Sequence, residues 1–287
     1  MKKFIIIFFL IYSCVAIAQK DNSRRNGTVI LTFDDACESH YNIVAPILKQ
    51  YGFGATFFVC EFPDGNFGDT TKYLSWHQIK QLSEMGFEIG NHTWHHTNIN
   101  SISVDSLSHE LSYIENKCKS LGIPKPVNFA YPAYVIDSAK LPVLYSHGYL
   151  TARIGGDRAY NPSNDNPMFV PSFTIKDNNS NYFYHAIAEA AANKITILTI
   201  HGVPDELHPW VNTPVDVFKR YMKYLYDHHY RVVAMRDVQK AYAFMPNESR
   251  DFFSAEIKLD TVSKTIINKL SMVILLSIWV INPESAI

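Results

Sequence analysis

The chain has little cysteine, no strong excess of charge of either sign and no long apolar run. Four cysteines in 287 residues are too few for a disulfide framework, and none stands at the spacing of a zinc-ligand pair. A formal net charge of −1 at pH 7 gives no electrostatic footprint for nucleic-acid binding. No apolar stretch reaches the roughly 20 residues of a membrane-spanning helix. What the chain does have is 47% apolar residues, enough for one domain with a large core.

The N-terminus has the features of a signal peptide covering residues 1–18. Two lysines precede the apolar stretch 4–12, and residues 16–18 (Ala-Ile-Ala) have the small-x-small form of a cleavage site. This pattern predicts an exported bacterial protein of the periplasm, cell envelope or extracellular space. A competing interpretation makes Cys14 a lipid-modified residue that holds the protein at a membrane.

A C-terminal extension, residues 246–287, follows the main domain. It mixes charge with apolar residues before an uncharged run at 270–281, which is short for a membrane-spanning helix. Three interpretations stay open: a strand of a small accessory β domain, a helix packed against the main domain, or a membrane-associating segment. Membrane contact is therefore expected only through this tail or a lipidated Cys14.

Between about residues 27 and 245, strand-like and helix-like patterns alternate. Repeated βα units imply a mainly parallel sheet. About seven strands in this length favour an α/β fold with a closed or nearly closed (β/α) barrel, and an open doubly wound sheet is the alternative. The predicted strands are 29–33, 55–59, 87–90, 127–130, 149–152, 195–200 and 230–234. The predicted helices are 41–51, 75–85, 104–121, 138–146, 182–193 and 215–227.

Polar residues with metal and proton chemistry follow several of these strands. Asp34 and Asp35 follow the first, His92 the third and His201 the sixth. The carboxyl ends of barrel strands meet at one face, so these groups are expected to converge. One carboxylate with His92 and His96 can hold a divalent metal and leave positions open for water. The other carboxylate can then act as a base on that water, which predicts a metal-dependent hydrolase.

The same residues fall into four ordered motifs: 32–35 (Thr-Phe-Asp-Asp), 92–96 (His-Thr-Trp-His-His), 129–132 (Phe-Ala-Tyr-Pro) and 198–201 (Leu-Thr-Ile-His). Together they resemble the polysaccharide deacetylase (NodB-homology) family, of the carbohydrate esterase type, over about residues 27–245. The resemblance implies a distorted (β/α) barrel, one divalent metal, usually zinc, and hydrolysis of N- or O-acetyl groups on glycans.

Position by position, the resemblance implies that Asp35, His92 and His96 are the metal ligands. Asp34 would be the general base acting on a metal-activated water, and His201 the general acid for the leaving group. A spacing of four would bring the two ligand histidines to the same side of a helical turn. His95 is expected to point elsewhere, with Asn91 and Thr93 orienting the ligands.

The sequence departs from the family pattern after strand four. Many members carry Arg-x-Pro-aromatic-Gly, whereas this chain has residues 130–134 (Ala-Tyr-Pro-Ala-Tyr), so the arginine that would hold the catalytic aspartate is missing. Our hypothesis is that Arg153, after strand five, pairs with Asp34 instead. Trp94 and Tyr160 are candidate sugar-stacking rings in rim loops. The predicted substrate contacts are Tyr131, Pro132, Tyr134, Arg153 and Trp210.

The expected partner is a polysaccharide or oligosaccharide: peptidoglycan, a chitin-like or poly-N-acetylglucosamine chain, or acetylated xylan. Two other functions stay open. A metal amidohydrolase on a small non-sugar amide would use the same chemistry in a closed pocket. A non-catalytic glycan-binding relative would keep the fold, although retention of the five motif side chains argues against it.

Overall fold

A computed structural model describes residues 27–63, 68–177, 179–191 and 193–238. The predicted signal peptide 1–18, Cys14, the C-terminal extension 246–287 and the last residues of the predicted domain, 239–245, lie outside the described residues.

The described residues contain one parallel sheet of eight strands: β1 Thr28–Phe33, β2 Thr56–Val59, β3 Glu88–Asn91, β4 Asn128–Ala130, β5 Thr151–Arg153, β6 Phe173–Thr174, β7 Ile195–Ile200 and β8 Arg231–Val233. Their order in the sheet is β5-β4-β3-β2-β1-β7-β6, with β8 pairing β1. All seven predicted strands are present, and every strand pair is parallel. The eighth strand, β6, has only two residues, too few to give a period-two pattern in the sequence.

Strand β1 is the centre of the sheet. It pairs along its whole length with β7, from Thr28 opposite Ile195 to Phe33 opposite Ile200. On its other side, the first half pairs with β8 and the second half with β2. Strand β7 is entirely buried, and β1 is buried from its second residue, which explains why both read as continuous apolar runs.

The two edges of the sheet curl toward each other. Val170, just before β6, donates to the Ala152 carbonyl at 2.9 Å and accepts from the Ile154 N–H at 2.8 Å, on either side of the bridged residue Arg153. The sheet is therefore a distorted, incompletely closed barrel. This confirms the (β/α) barrel and excludes the open doubly wound sheet.

Helices alternate with the strands close to where the sequence predicts them. Ser75 forms a capping box with Gln78, and Gly52 ends its helix in the left-handed conformation at φ 67°. The α-helices are Ala45–Tyr51, Trp76–Glu84, Val104–Ser120, Leu141–Ser146, Ser180–Ala188 and Val215–Asp227. A π-helical turn, His40–Val44, precedes the first, and 3-10 turns lie at Ile99–Ser101, Pro132–Tyr134, Ser138–Lys140, Pro167–Phe169, Pro209–Val211 and Met235–Asp237.

The three cysteines in the described part of the chain, Cys37, Cys60 and Cys118, are buried free thiols, as expected for an odd set without ligand spacing. Across the same residues, each helix is too short or too polar to cross a membrane.

Candidate metal and catalytic site

The two adjacent carboxylates are presented by a left-handed turn at the end of β1. The Asp34 N–H donates to the Ile200 carbonyl at 3.0 Å, which extends the β1–β7 pairing by one residue. The chain then turns through Asp35 at φ 73° and Ala36 at φ 50°, a conformation that aspartate adopts more readily than most residues. Asp34 and Asp35 therefore both line one cleft instead of alternating across the sheet.

The two predicted ligand histidines converge through a loop. His92 follows β3, and the backbone is left-handed at Thr93 (φ 63°) and at His96 (φ 53°). The prediction of a helical turn between the two histidines is therefore wrong. A spacing of four fits either a helical turn or a tight loop, and the positive φ values select the loop. The imidazole centroids lie 4.8 Å apart.

Asn91 and Thr93 brace this loop, as predicted. The Asn91 side-chain oxygen accepts the Thr93 N–H at 2.9 Å, and the Thr93 hydroxyl accepts the Thr97 N–H at 2.9 Å. Asn91 also donates to the Leu111 carbonyl at 3.0 Å and to the Tyr149 hydroxyl at 2.6 Å. The conformation of the histidine loop is thus fixed from beneath by buried hydrogen bonds.

Asp35, His92 and His96 offer three ligand atoms that lie within 4.8 Å of one another. Asp35 Oδ1 is 3.5 Å from Nε2 of each histidine. The Nδ1 atom of His92 is 2.8 Å from the Ala130 carbonyl, which can only accept, so this nitrogen carries the proton. The Nε2 lone pair of His92 is therefore left for a metal, in the way that bound imidazoles are usually oriented.

These residues fit a divalent cation. Asp35 Oδ1 is buried and has no hydrogen-bond partner among the described residues, and a buried carboxylate oxygen without a partner is costly. A cation between Asp35 and the two imidazoles would satisfy this oxygen. Two nitrogens and one carboxylate are a common zinc donor set, although other transition ions accept the same ligands.

The charges of Asp35 and His96 also suit metal binding. Burial opposes ionisation of Asp35, but the neighbouring imidazoles of His92, His201 and His96 hold the pKa of its carboxyl below the ordinary value. Burial, together with the nearby His92, lowers the pKa of His96 to about 4. His96 is therefore neutral at pH 7 and keeps a lone pair for a metal. Burial opposes protonation of His92, but the carboxylates of Asp34 and Asp35 raise its pKa, so a metal would compete with a proton for its Nε2.

Asp34 is held by a buried arginine. Nη2 of Arg153 donates to Asp34 Oδ2, and Nη1 donates to the Thr199 hydroxyl at 2.8 Å. The Arg153 side chain is 0% exposed and that of Asp34 only 2%. The contact expected between Arg153 and Asp34 is therefore present, made from strand β5 instead of β4. An ion pair this deep is costly to break from one side, since the remaining charge would stay buried without its partner.

His201 lies at the end of β7, next to the same carboxylates. Its Nε2 is 3.8 Å from Asp35 Oδ2, and its side chain is 13% exposed. The His201 carbonyl accepts a hydrogen bond from His40 Nε2 at 3.0 Å. His40 was not predicted from the sequence, in which its position shortly after Asp34 is the one feature that could have indicated a role. Burial lowers the pKa of His40 to about 4. His40 is therefore neutral at pH 7 when it contacts the His201 carbonyl.

His95 lies away from the metal site, as predicted. Its backbone N–H donates to Glu110 at 2.8 Å, and its Nδ1 lies 2.9 Å from the other oxygen of that carboxylate.

A cleft of about 470 Å³ opens over these groups. Of the predicted substrate contacts, Tyr131, Tyr134 and Trp210 line it, and Trp210 is 66% exposed. Arg153 and Pro132 are buried and do not line the cleft, which contradicts their predicted direct contact with substrate. Lining residues that the sequence analysis did not assign are Phe62, Ala133, Thr174, His208 and Val211.

Trp94 and Tyr160 are not sugar platforms. Trp94 donates its indole N–H to Glu61 at 2.9 Å and stacks on Tyr113 with ring centroids 3.9 Å apart. Glu61 also accepts the Trp76 indole N–H at 2.6 Å and the Tyr113 hydroxyl at 2.9 Å. Tyr160 is 0% exposed. Trp94 therefore packs within the fold through its indole hydrogen bond and its stacking on Tyr113, and Tyr160 is a core side chain.

The sequence model of one family, described as polysaccharide deacetylase, matches residues 21–152. That segment contains Asp34, Asp35, His92 and His96, whereas Arg153 and His201 lie beyond it.

Among curated proteins, the chain is similar to the peptidoglycan-N-acetylmuramic acid deacetylase PdaA of Bacillus subtilis, with 33% identity over 96 residues that cover 33% of this chain and 34% of that protein. It is also similar to the poly-beta-1,6-N-acetyl-D-glucosamine N-deacetylase of Staphylococcus aureus, with 27% identity over 163 residues that cover 52% of this chain and 55% of that protein. The chain spans about half the length, or less, of the curated relatives that it matches.

Among solved structures, the chain is similar to that of Bacillus subtilis PdaA, a family 4 carbohydrate esterase. The TM-score is 0.52 at 22% identity, covering 77% of this chain and 83% of the other. At this identity the likeness supports the fold, a curled half-barrel of parallel strands.

Proposed function

Since the chain belongs to the polysaccharide deacetylase family, a family of hydrolases, we propose that it is a metal-dependent deacetylase that removes N- or O-acetyl groups from a polysaccharide. One observation carries the proposal. Asp34, Asp35, His92, His96 and His201 come from the carboxyl ends of three strands and line a single cleft. That convergence is what a barrel active site requires.

Asp35, His92 and His96 would hold one divalent ion, with zinc as our first choice. Such an ion supplies Lewis-acid polarisation and makes water a better nucleophile near neutral pH.

Asp34 would act as the general base. Its Oδ2 is bound to Arg153, whereas its Oδ1 is buried without a hydrogen-bond partner among the described residues. Oδ1 is therefore the atom that takes a proton from the attacking water, while Arg153 keeps the carboxylate from rotating. The hydroxide equivalent adds to the acetyl carbonyl carbon as this proton moves to Asp34.

His201 would complete the reaction. When the bond between the acetyl carbon and the sugar nitrogen or oxygen breaks, the leaving group needs a proton, and His201 donates it. The products are acetate and a free amine or hydroxyl. For the oxyanion, the backbone N–H of Tyr131 is already committed to the Arg153 carbonyl at 3.0 Å, so the neighbouring N–H of Ala133 is the candidate donor.

The cleft suits a sugar chain better than a small amide, because Trp210 presents an exposed ring at its rim. Two relatives are named for peptidoglycan and for poly-beta-1,6-N-acetyl-D-glucosamine, and both glycans are proposed substrates here, beside chitin-like chains and acetylated xylan. A glycan of this kind also agrees with the proposed export of the protein.

The test is acetate release from acetylated glycan oligomers, with and without a chelator. Asp34→Asn should abolish turnover and leave the metal content unchanged, because Asp34 is not a proposed ligand. The matched control is Asp105→Asn, an exposed aspartate on the helix Val104–Ser120, which should change neither. Turnover that survives complete metal removal, or a wild-type protein that releases acetate only from small amides, would overturn the proposal.

A further inference from the structure

We infer that Tyr134 is a positioning residue for the base: together with Phe58 it clamps the guanidinium of Arg153 and so fixes the orientation of Asp34. The inference deepens the proposed function and rests on it. Tyr134 is predicted from the sequence to contact substrate, and its surroundings assign it this second role.

The guanidinium of Arg153 lies over the faces of two aromatic rings. Its Cζ is 5.4 Å from the centroid of Phe58 and 5.3 Å from that of Tyr134. Both rings attract the cation through their faces, and a planar guanidinium suits this arrangement better than an ammonium group would. At the edge of the guanidinium, Nη1 donates to Thr199 and Nη2 to Asp34. The rings thus fix the plane of the guanidinium, and the hydroxyl and the carboxylate fix its rotation within that plane.

Tyr134 is itself held firmly. Its hydroxyl lies 2.7 Å from the Thr174 hydroxyl on β6. The backbone is left-handed at Ala133 (φ 51°) and at Tyr134 (φ 58°), a conformation sparsely populated by tyrosine. Gly155 lies so close to the ring that a Cβ at that position would come within 3.0 Å of Tyr134 Cδ2. The left-handed backbone, the hydrogen bond to Thr174 and the close approach of Gly155 together hold the Tyr134 ring over Arg153.

Tyr134 also separates the cleft from a second cavity. That cavity, about 530 Å³ in volume, shares Tyr134, Thr174 and Val211 with the cleft. Arg153 is 0% exposed and lines neither space. Removing the ring would join the two spaces and let water reach the Arg153–Asp34 pair, which weakens the attraction between the charges.

Removing a residue that clamps Arg153 and removing a residue that stacks on the sugar should have different effects on kcat and KM. A platform contributes equally to ground-state and transition-state binding, so its loss raises KM and leaves kcat unchanged. A clamp acts on the base, so its loss lowers kcat, a change that the loss of a substrate contact alone does not cause. For Tyr134→Leu we expect kcat to fall on the order of 10- to 100-fold, since misplacement of a reacting group by about 1 Å has effects of this size. Tyr134→Phe keeps the ring and loses only the hydrogen bond to Thr174, so its kcat should fall much less than that of Tyr134→Leu.

Trp210→Leu is the matched comparison, because Trp210 lines the same cleft and none of the described contacts joins it to Arg153. It should raise KM alone. If Tyr134→Leu behaves like Trp210→Leu, or if Tyr134→Phe is as impaired as Tyr134→Leu, the clamp is refuted. Gly155→Ala is a milder second variant that pushes the ring without removing it. It should lower kcat even if Tyr134→Leu does not fold, and an unchanged kcat in Gly155→Ala would count against the clamp.

A second readout does not need activity. In the arginine side-chain region of a ¹H–¹⁵N NMR spectrum, the Nε–H of a guanidinium over the faces of two rings is shifted by their ring currents, and Arg153→Lys identifies the signal. Tyr134→Leu should move this signal and Tyr134→Phe should not. A wild-type protein with no acetate release would refute the proposed function, whereas an Arg153 signal unmoved in Tyr134→Leu would refute the clamp alone.

Discussion

The metal side and the base side of the cleft are built in different ways. Asp35, His92 and His96 come from two short loops within the segment that matches the family, and the hydrogen bonds that brace the histidine loop also stay inside that segment. Asp34 belongs to that segment too, but its support comes from Arg153 and Thr199, more than a hundred residues away. Local motifs thus define the proposed metal site, whereas the proposed base depends on contacts that only the folded barrel makes.

The sharpest way to separate the two sides is to remove a ligand. In His92→Ala we expect complete loss of bound metal and of acetate release, because two remaining ligands do not hold an ion against exchange with water. Metal content after gel filtration in a chelator-free buffer measures this. Retention of one ion per chain would contradict the ligand set. The control is His77→Ala, an imidazole on the helix Trp76–Glu84 that is not among the proposed ligands and should change neither quantity.

Loss of the ion pair between Arg153 and Asp34 should impair the proposed base and leave the metal bound. Arg153→Gln leaves the Asp34 carboxylate buried without its cation, which we expect to cost about 3–5 kcal/mol of the free energy of unfolding. The kcat should fall about 100-fold as the base loses its orientation. Urea unfolding, kinetics and metal content measure the three quantities. If the metal is lost together with activity, the two sides are not separable and the comparison fails.

The stability of the protein should depend on pH through His40, the buried histidine that contacts the His201 carbonyl. The pKa of His40 is lowered to about 4 by burial, whereas in the unfolded chain it has the ordinary value. As pH falls below about 6.5, the unfolded chain binds a proton that the folded protein does not take up until about pH 4. Stability of the chelated protein should therefore decline across this window, by about 3 kcal/mol from this residue.

The measurement is the urea midpoint between pH 7 and pH 4. His40→Gln keeps a donor for the His201 carbonyl and cannot titrate, so its stability should depend less on pH than that of the wild type. The control is His185→Gln, which removes an exposed imidazole and should leave the wild-type pH dependence intact. An identical slope for wild type and His40→Gln would contradict the burial argument.

The smallest expected effect is at the rim. Trp210→Ala should raise KM for glycan oligomers about three- to tenfold with kcat unchanged, since an aromatic contact is worth about 0.5–1.5 kcal/mol. Steady-state kinetics on oligomers of increasing length measure this. A fall in kcat would place Trp210 with the base machinery instead of the binding surface.

The sequence predicts more of the fold than of the site's support. Strands β1 and β7 are recognisable because burial on both faces makes them continuously apolar, whereas β6 is too short to leave a pattern. The ligands are visible in the sequence because they lie in compact motifs. The conformation of the histidine loop cannot be predicted from the sequence, since a spacing of four is compatible with both a helix and a turn.

Exposure is the property that the sequence conveys least. Trp94, Tyr160 and Trp210 are all aromatic residues predicted to lie in rim loops, and only the packing of each separates the exposed ring from the two that the fold uses internally. Arg153 was found as a partner for Asp34 because a missing arginine implied a substitute. Its burial under Tyr134 could not be predicted, because it depends on the curl that brings β4, β5 and β6 together.

The most direct test of the account is an anomalous difference map from a crystal grown with zinc and measured at its absorption edge. We predict one strong peak within about 2.0–2.2 Å of Asp35, His92 Nε2 and His96 Nε2, with Asp34 still bound to Arg153 and not to the ion. A peak held by other residues, or none at this site with zinc present in solution, would contradict it.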